Sequence, residues 1–183
     1  MRIQIIIFIS IVISSFSYGQ SDSTFTLTSK DLGGSFTIKQ VNNSFGCNGD
    51  NISPHLKWTN APEDTKSFAI TMYDKDAPTG SGWWHWVVFD IPTTVTELKT
   101  GASTSDSTII QNNIIQSIND FGTFQYGGPC PPQGSGFHTY VITLYALDIE
   151  RLSLPKSTNP ATVGFYLNSH IITKASLIVY YKK

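Results

Sequence analysis

At 183 residues the chain is long enough for one domain with a sizeable core, since 40% of its residues are apolar. The formal net charge is −1 and 14% of residues are charged, with no basic stripe or acidic tail, which excludes the electrostatic footprint of a nucleic-acid binder. Aromatics reach 13%, and Val, Ile, Thr and Tyr recur in short runs, a composition that favours β-structure over disorder.

The first twenty residues stand apart. Arg2 precedes an apolar run through Ile13, and a small polar stretch over 14–19 follows, with Ser17 and Gly19 at the −3 and −1 positions of a cleavage site. This pattern predicts a secretory signal peptide over 1–19 and one mature domain over 20–183. The competing reading is an uncleaved anchor, but its apolar core of about a dozen residues is shorter than the roughly 20 that a spanning helix requires. No Cys follows the run, so nothing points to a lipid anchor. The mature chain is therefore expected to be exported, either periplasmic or secreted, with no transmembrane anchor after cleavage. Its two cysteines, Cys47 and Cys130, lack the CxxC spacing of a zinc site. In an oxidising compartment one disulfide is the natural reading; two buried thiols are the alternative, and spacing alone leaves both open.

Strands are predicted over 25–28 and 35–39, separated by Gly33-Gly34. A Gly/Asn-rich loop over 42–51 leads to a further extended segment over 53–58. Two stronger strands follow over 67–73 and 83–89, joined by a Pro/Gly turn. The stretch 100–125 is polar and matches neither period. A strand over 138–147 is apolar on both faces, which places it inside a sheet. Asn159 is a suitable N-cap and Pro160 a suitable first residue for a helix with its body over 161–171. Val163, Tyr166, Leu167 and His170 fall at helical spacing there, against the cost of Gly164. A last strand runs over 176–181. The fold class expected is mainly β, an antiparallel β-sandwich with one or two helices near the C-terminus.

Three segments concentrate chemistry-bearing residues. Asp74-Lys75-Asp76-Ala77-Pro78 reads by itself as a turn after a strand, although carboxylates two apart on an extended segment can face the same way. In Gly82-Trp83-Trp84-His85-Trp86, strict alternation groups His85 with Trp83, Val87 and Phe89, and sets Trp84, Trp86 and Val88 on the other face. A histidine in that setting is ordinarily a satisfied core residue. The third segment runs from Tyr126 to Tyr140 and is crowded with glycine and proline. Such a loop either fixes a backbone path that can approach an anion or is simply a wide loop. His138 and Tyr140 share a strand face at its end.

Together with Asn51-Ile52-Ser53-Pro54-His55-Leu56-Lys57-Trp58 and Leu144-Tyr145-Ala146-Leu147-Asp148, these segments resemble the phosphatidylethanolamine-binding protein family in its bacterial, kinase-inhibitor-like branch. The resemblance covers the whole mature chain. It implies two antiparallel sheets, C-terminal helical elements and a shallow pocket for phosphate-like anions. Asp74 matches the family's pocket aspartate, His85 its first histidine, and His138 and Tyr140 the second histidine and the tyrosine. Pro132 falls on the pocket wall, and Gly128 and Pro129 where the loop backbone would face the anion. The resemblance also places the loops carrying Cys47 and Cys130 at the pocket border, which implies that the two are bridged. One departure stands out: Lys75 replaces a proline in the family's usual Asp-Pro-Asp-Ala-Pro, removing a rigid residue and adding a cation at the rim.

The reading is an exported binding protein for a small anionic or phosphorylated ligand, such as a lipid headgroup, with no cofactor, no bound metal and no catalytic residues. Imidazole and phenol groups can donate to such an anion, most strongly when histidine is charged, near pH 6.5 for an unperturbed ring. The alternative is a protein-interaction module inhibiting a kinase or protease. An enzyme built on Asp74, His85 and His138 as a metal or acid–base set ranks third, because no Ser or Cys in a nucleophile-elbow context accompanies the histidines. His55 is assigned to the rim or surface and His170 to helix packing. Oligomeric state is open, a homodimer included.

Overall fold

The strands with apolar residues on both faces lie inside a five-stranded antiparallel sheet of order β6-β4-β3-β7-β8. Its strands are β3 (Ser67–Asp74), β4 (Trp83–Pro92), β6 (Ile115–Gln116), β7 (His138–Leu147) and β8 (Ile171–Tyr181). A smaller antiparallel sheet of order β1-β2-β5 is formed by β1 (Thr26–Thr28), β2 (Leu56–Thr59) and β5 (Glu97–Leu98). This computed structural model describes residues 24–105 and 107–183, so the expected signal segment 1–19 lies outside them. Among the described residues no helix is long and apolar enough to cross a membrane.

One core joins the two sheets. Leu27, Leu56, Trp58 and Leu98 of the small sheet share it with Ile70, Met72, Trp86, Val88, Ile142 and Leu144 of the large one. The opposite face of the large sheet carries a second cluster, in which Val163 and Leu167 of α3 (Pro160–His170) meet Ala69, Val87, Phe89 and Leu147. Asn159 caps α3, its side-chain oxygen accepting from Thr162 N at 2.9 Å, with Pro160 in the first turn. The chain then enters β8 without a loop, because Ile171 is already extended. Thr173, Ala175, Leu177 and Val179 are the more buried residues of β8 and alternate with exposed ones, so the strand starts five residues before the predicted 176.

One expectation fails on local hydrogen bonding. Residues 35–39 do not form a strand: Ser35 makes a single bridge to Tyr180, and the chain then turns. The Gln40 side chain takes the Thr37 N–H at 3.1 Å and the Thr37 hydroxyl at 2.9 Å, a local bond that competes with sheet pairing. Within 100–125, α1 (Ala102–Ser105), α2 (Ser107–Gln111) and β6 are each too short to show a period.

Candidate functional site

The pairing register brings the three chemistry-bearing segments to one end of the large sheet. Asp74 closes β3, with Tyr140 of β7 directly opposite on one side and Trp83 of β4 on the other. Directly opposed residues share a sheet face. His138, two residues before Tyr140, lies on that face as well.

His85 joins them through a β-bulge. Met72 pairs with Trp86 and Tyr73 with Trp84, so His85 is the extra residue on β4. The bulge resets the alternation: Trp84 packs with Val87 and Phe89, while Trp86 and Val88 face the inter-sheet core. This corrects the grouping of His85 with Val87 and Phe89. Its ring instead meets Tyr140 and Phe121 edge-on, with centroids 5.2 Å apart in each case.

Asp74, His85, His138, Tyr140 and Pro132 line a single cavity of about 230 Å³. That is below the roughly 300–1,000 Å³ of pockets for drug-sized ligands, and fits a small group. A second depression of about 300 Å³ lies beside Trp58, but Glu63 alone ionises among its lining residues.

Inside the first cavity the buried charges are engaged. Asp74 Oδ2 accepts from His138 Nδ1 at 2.7 Å, and Asp74 Oδ1 accepts from Asp76 N at 2.9 Å. His138 Nε2 lies 2.9 Å from Ser135 Oγ. His85 Nδ1 lies 2.7 Å from the Gly127 carbonyl, which can only accept, so this nitrogen carries the proton and Nε2 is left to the cavity. Complete burial drives the His85 pKa down to about 4 despite its carbonyl bond and the Asp74 charge. The ring is neutral at pH 7, and its charging lies well below the 6.5 expected from the sequence. Among the described residues four buried side-chain atoms lack a hydrogen bond of ordinary geometry: Tyr140 Oη and Trp83 Nε1 beside this cavity, and Trp58 Nε1 and Thr65 Oγ1 beside the second depression. Burial first, then the Asp74 charge and a hydrogen-bonding approach of the hydroxyl to Asp74, raise the Tyr140 pKa.

Gly128 and Pro129 are outside the lining, which corrects their expected place facing an anion. The Gly128 N–H already donates to Asn51 Oδ1 at 2.7 Å, and the Pro129 carbonyl accepts from Asn42 N at 3.2 Å. A Cβ on Gly128 would collide with the backbone of Gln40 and Asn42. The glycine is there to let two loops touch. A disulfide joins Cys47 to Cys130, with Cα atoms 6.0 Å apart, and fastens the same two loops. His55 is buried away from the cavity, with Lys30 N on its Nδ1 at 3.3 Å and Glu97 on its Nε2 at 3.5 Å, not on the rim. His170 pairs with Asp148 at 2.9 Å instead of packing on the helix.

A sequence profile of the phosphatidylethanolamine-binding protein family matches residues 28–182. The chain belongs to that family. It is similar to the UPF0098 protein YbcL of Escherichia coli K12, at 41% identity over 176 residues, covering 95% of this chain and 96% of that protein. The UPF0098 protein YbhB of the same organism is 44% identical over 153 residues, with coverages of 82% and 96%. The crystal structure of E. coli YbcL, described as a new member of the mammalian PEBP family, matches with a TM-score of 0.83 at 43% identity over 87% of this chain and 98% of that one.

In this family member the Lys75 departure has a clear local role. Its backbone N–H donates to the Thr139 carbonyl at 3.3 Å, a bond that a proline could not make. Its ammonium sits on Asp76 at 2.9 Å, and Asp76 also accepts from Thr139 N at 2.7 Å. The Lys75 pair, first among several bonds, holds the Asp76 carboxyl down at about 2. The two carboxylates thus divide their work: Asp74 orients His138, and Asp76 ties the turn to β7. Sequence reasoning missed Phe45, Phe121 and Ser135. Phe121 bridges Trp83 and Phe45, with ring centroids 5.4 Å apart in each case, from a stretch without periodic signal.

Proposed function

We propose that the protein is an exported binding protein that holds a small oxyanion, a phosphate or phosphorylated group, in the cavity between Asp74, His85, His138 and Tyr140, and performs no chemistry on it. The observation that carries this reading is the convergence of Asp74, His85, His138 and Tyr140 on one cavity of about 230 Å³, a size that fits a small group. Asp74 lines the cavity too, and the hydrogen bonds that its oxygens accept from His138 and Asp76 soften the repulsion an anion meets there. Export is supported by the signal-like first nineteen residues and by the disulfide.

Ser135, His138 and Asp74 form a chain with the hydrogen-bond spacing of a hydrolase triad. Two features favour an orienting role. Ser135 Oγ also reaches the Pro132 carbonyl at 2.8 Å, closing a turn, and Ser135 is not part of the cavity lining. The experiment is calorimetric titration with inorganic phosphate, alongside a turnover assay on phosphate and carboxylate esters. Binding should be present in the wild type and kept in Ser135→Ala, with no turnover in either of them. Absence of phosphate binding, or turnover that disappears in Ser135→Ala, would refute the proposal.

A further inference from the structure

The cavity shares a wall with a second, polar depression of about 160 Å³ lined by Asn42, Asn51 and Gly127. Phe45 and Phe121 border both, with ring centroids 5.4 Å apart. Phe121 is braced by edge-on contacts with Trp83 and His85. Phe45 is 70% exposed, and its φ of 55° lies in the left-handed region. A bulky residue persists in that conformation only where its surroundings over-determine the backbone.

Here the main constraint is covalent. Gly49 N donates to Asn42 O at 2.9 Å and closes the neck of a loop over 43–48, while Asn42 N donates to Pro129 O at 3.2 Å below it. Beyond the neck the loop is tied down by the Cys47–Cys130 bridge, by the Phe45–Phe121 contact and by a bond from the exposed Lys183 ammonium to the Gly46 carbonyl. The two cysteines are placed unlike each other. Cys130 stands in the stiff run Pro129-Cys130-Pro131-Pro132 and lines the larger cavity, whereas Cys47 rides on the loop and is buried. A thiolate arriving through the cavity therefore meets Cys130 first.

We propose that this disulfide is a redox latch on the partition between the two cavities. A dithiol, the chemical class of disulfide reductases, attacks Cys130 Sγ as a thiolate; the bond to Cys47 breaks, and Cys47 departs as a thiolate that takes up a proton. The second thiol of the dithiol then displaces Cys130. Two electrons and two protons have passed to the protein, and the dithiol ends as its own disulfide. Once freed, the 43–48 loop relaxes from the left-handed turn at Phe45, and pocket and depression run together as one groove. The oxidised protein admits a compact group and the reduced protein an extended one, whichever group the cavity binds. The neck stays shut, because its hydrogen bonds do not involve sulfur.

The test reduces the folded protein with dithiothreitol at about pH 8, near the ordinary thiol pKa. Alkylation and intact mass should show two thiols while the far-UV circular dichroism is retained. Hydrogen exchange of the Cys47 amide, bonded to Ser44 O at 3.0 Å, should quicken at least roughly tenfold, with the Gly49 amide and those of β3 and β7 unchanged. Chymotrypsin should cut after Phe45 in the reduced protein and not in the oxidised one. Crystals of the Cys47→Ser/Cys130→Ser protein answer without reductant: Phe45 should have left Phe121, and the two cavities should be continuous. Thiols that form only when the protein unfolds overturn the latch, as does loss of the circular dichroism on reduction. A loop as protected after reduction as before, or Phe45 still against Phe121 in the double variant, overturns it equally.

Discussion

Replacing Tyr140 by Phe should stabilise the unliganded protein. The residue is fully buried and its hydroxyl has no hydrogen-bond partner, while its ring packs edge-on to Phe36 at 5.3 Å and His85 at 5.2 Å. Phenylalanine keeps those ring contacts and deletes only the oxygen. Relief of the unsatisfied donor is worth about 1–3 kcal/mol. Against it stands a hydroxyl-sized gap of roughly 10 Å³, which costs only about 0.2 kcal/mol at about 24 cal/mol per Å³. The unliganded variant should therefore be at least about 1 kcal/mol more stable by urea denaturation. For a chain of this size that corresponds to a rise in Tm of about 2–4 °C. A variant that is no more stable than the wild type would show that the hydroxyl is satisfied in the folded protein, by its approach to Asp74.

Replacing Cys47 and Cys130 together by Ser should cost about 3–5 kcal/mol, because the bridge closes a separation of 83 residues; non-reducing denaturation curves measure it. Stability should fall as pH drops from 6.5 to about 4, since in that window the unfolded chain protonates His85 and the folded chain does not. The slope from this group is at most about 1.4 kcal/mol per pH unit, and His85→Gln should remove it from the acid limb of a stability–pH profile. Gly128→Ala should destabilise by about 1–3 kcal/mol in urea melts, because the added methyl meets backbone atoms of Gln40 and Asn42 that cannot step aside alone.

Much of the architecture was legible because its signals are local. The strands over Ser67–Asp74 and His138–Leu147 are continuous β-branched and aromatic runs, and Asn159-Pro160 marks a helix start that needs no tertiary help. The short elements Glu97–Leu98 and Ile115–Gln116 were not legible, since two residues cannot express a period and exist as strands only through their partners. Gly128 was misplaced for a related reason. Glycine allows a backbone to approach something closely, and the sequence does not say whether that is an anion or the 40–42 backbone.

The sequence by itself determined a mainly β chain and, through its family resemblance, which residues gather at one end of the sheet. Asp74, His85, Pro132, His138 and Tyr140 were named from it, and all five line the cavity. Only the tertiary structure decided what each atom there has left to offer. The bulge at His85 swings its ring beside Tyr140, the Gly127 carbonyl selects which ring nitrogen holds the proton, and Asp76 N and His138 each take a place on one oxygen of Asp74. Hydrogen-bonding capacity is a remainder, fixed only after every neighbour has taken its share, and those neighbours come from segments far apart along the chain.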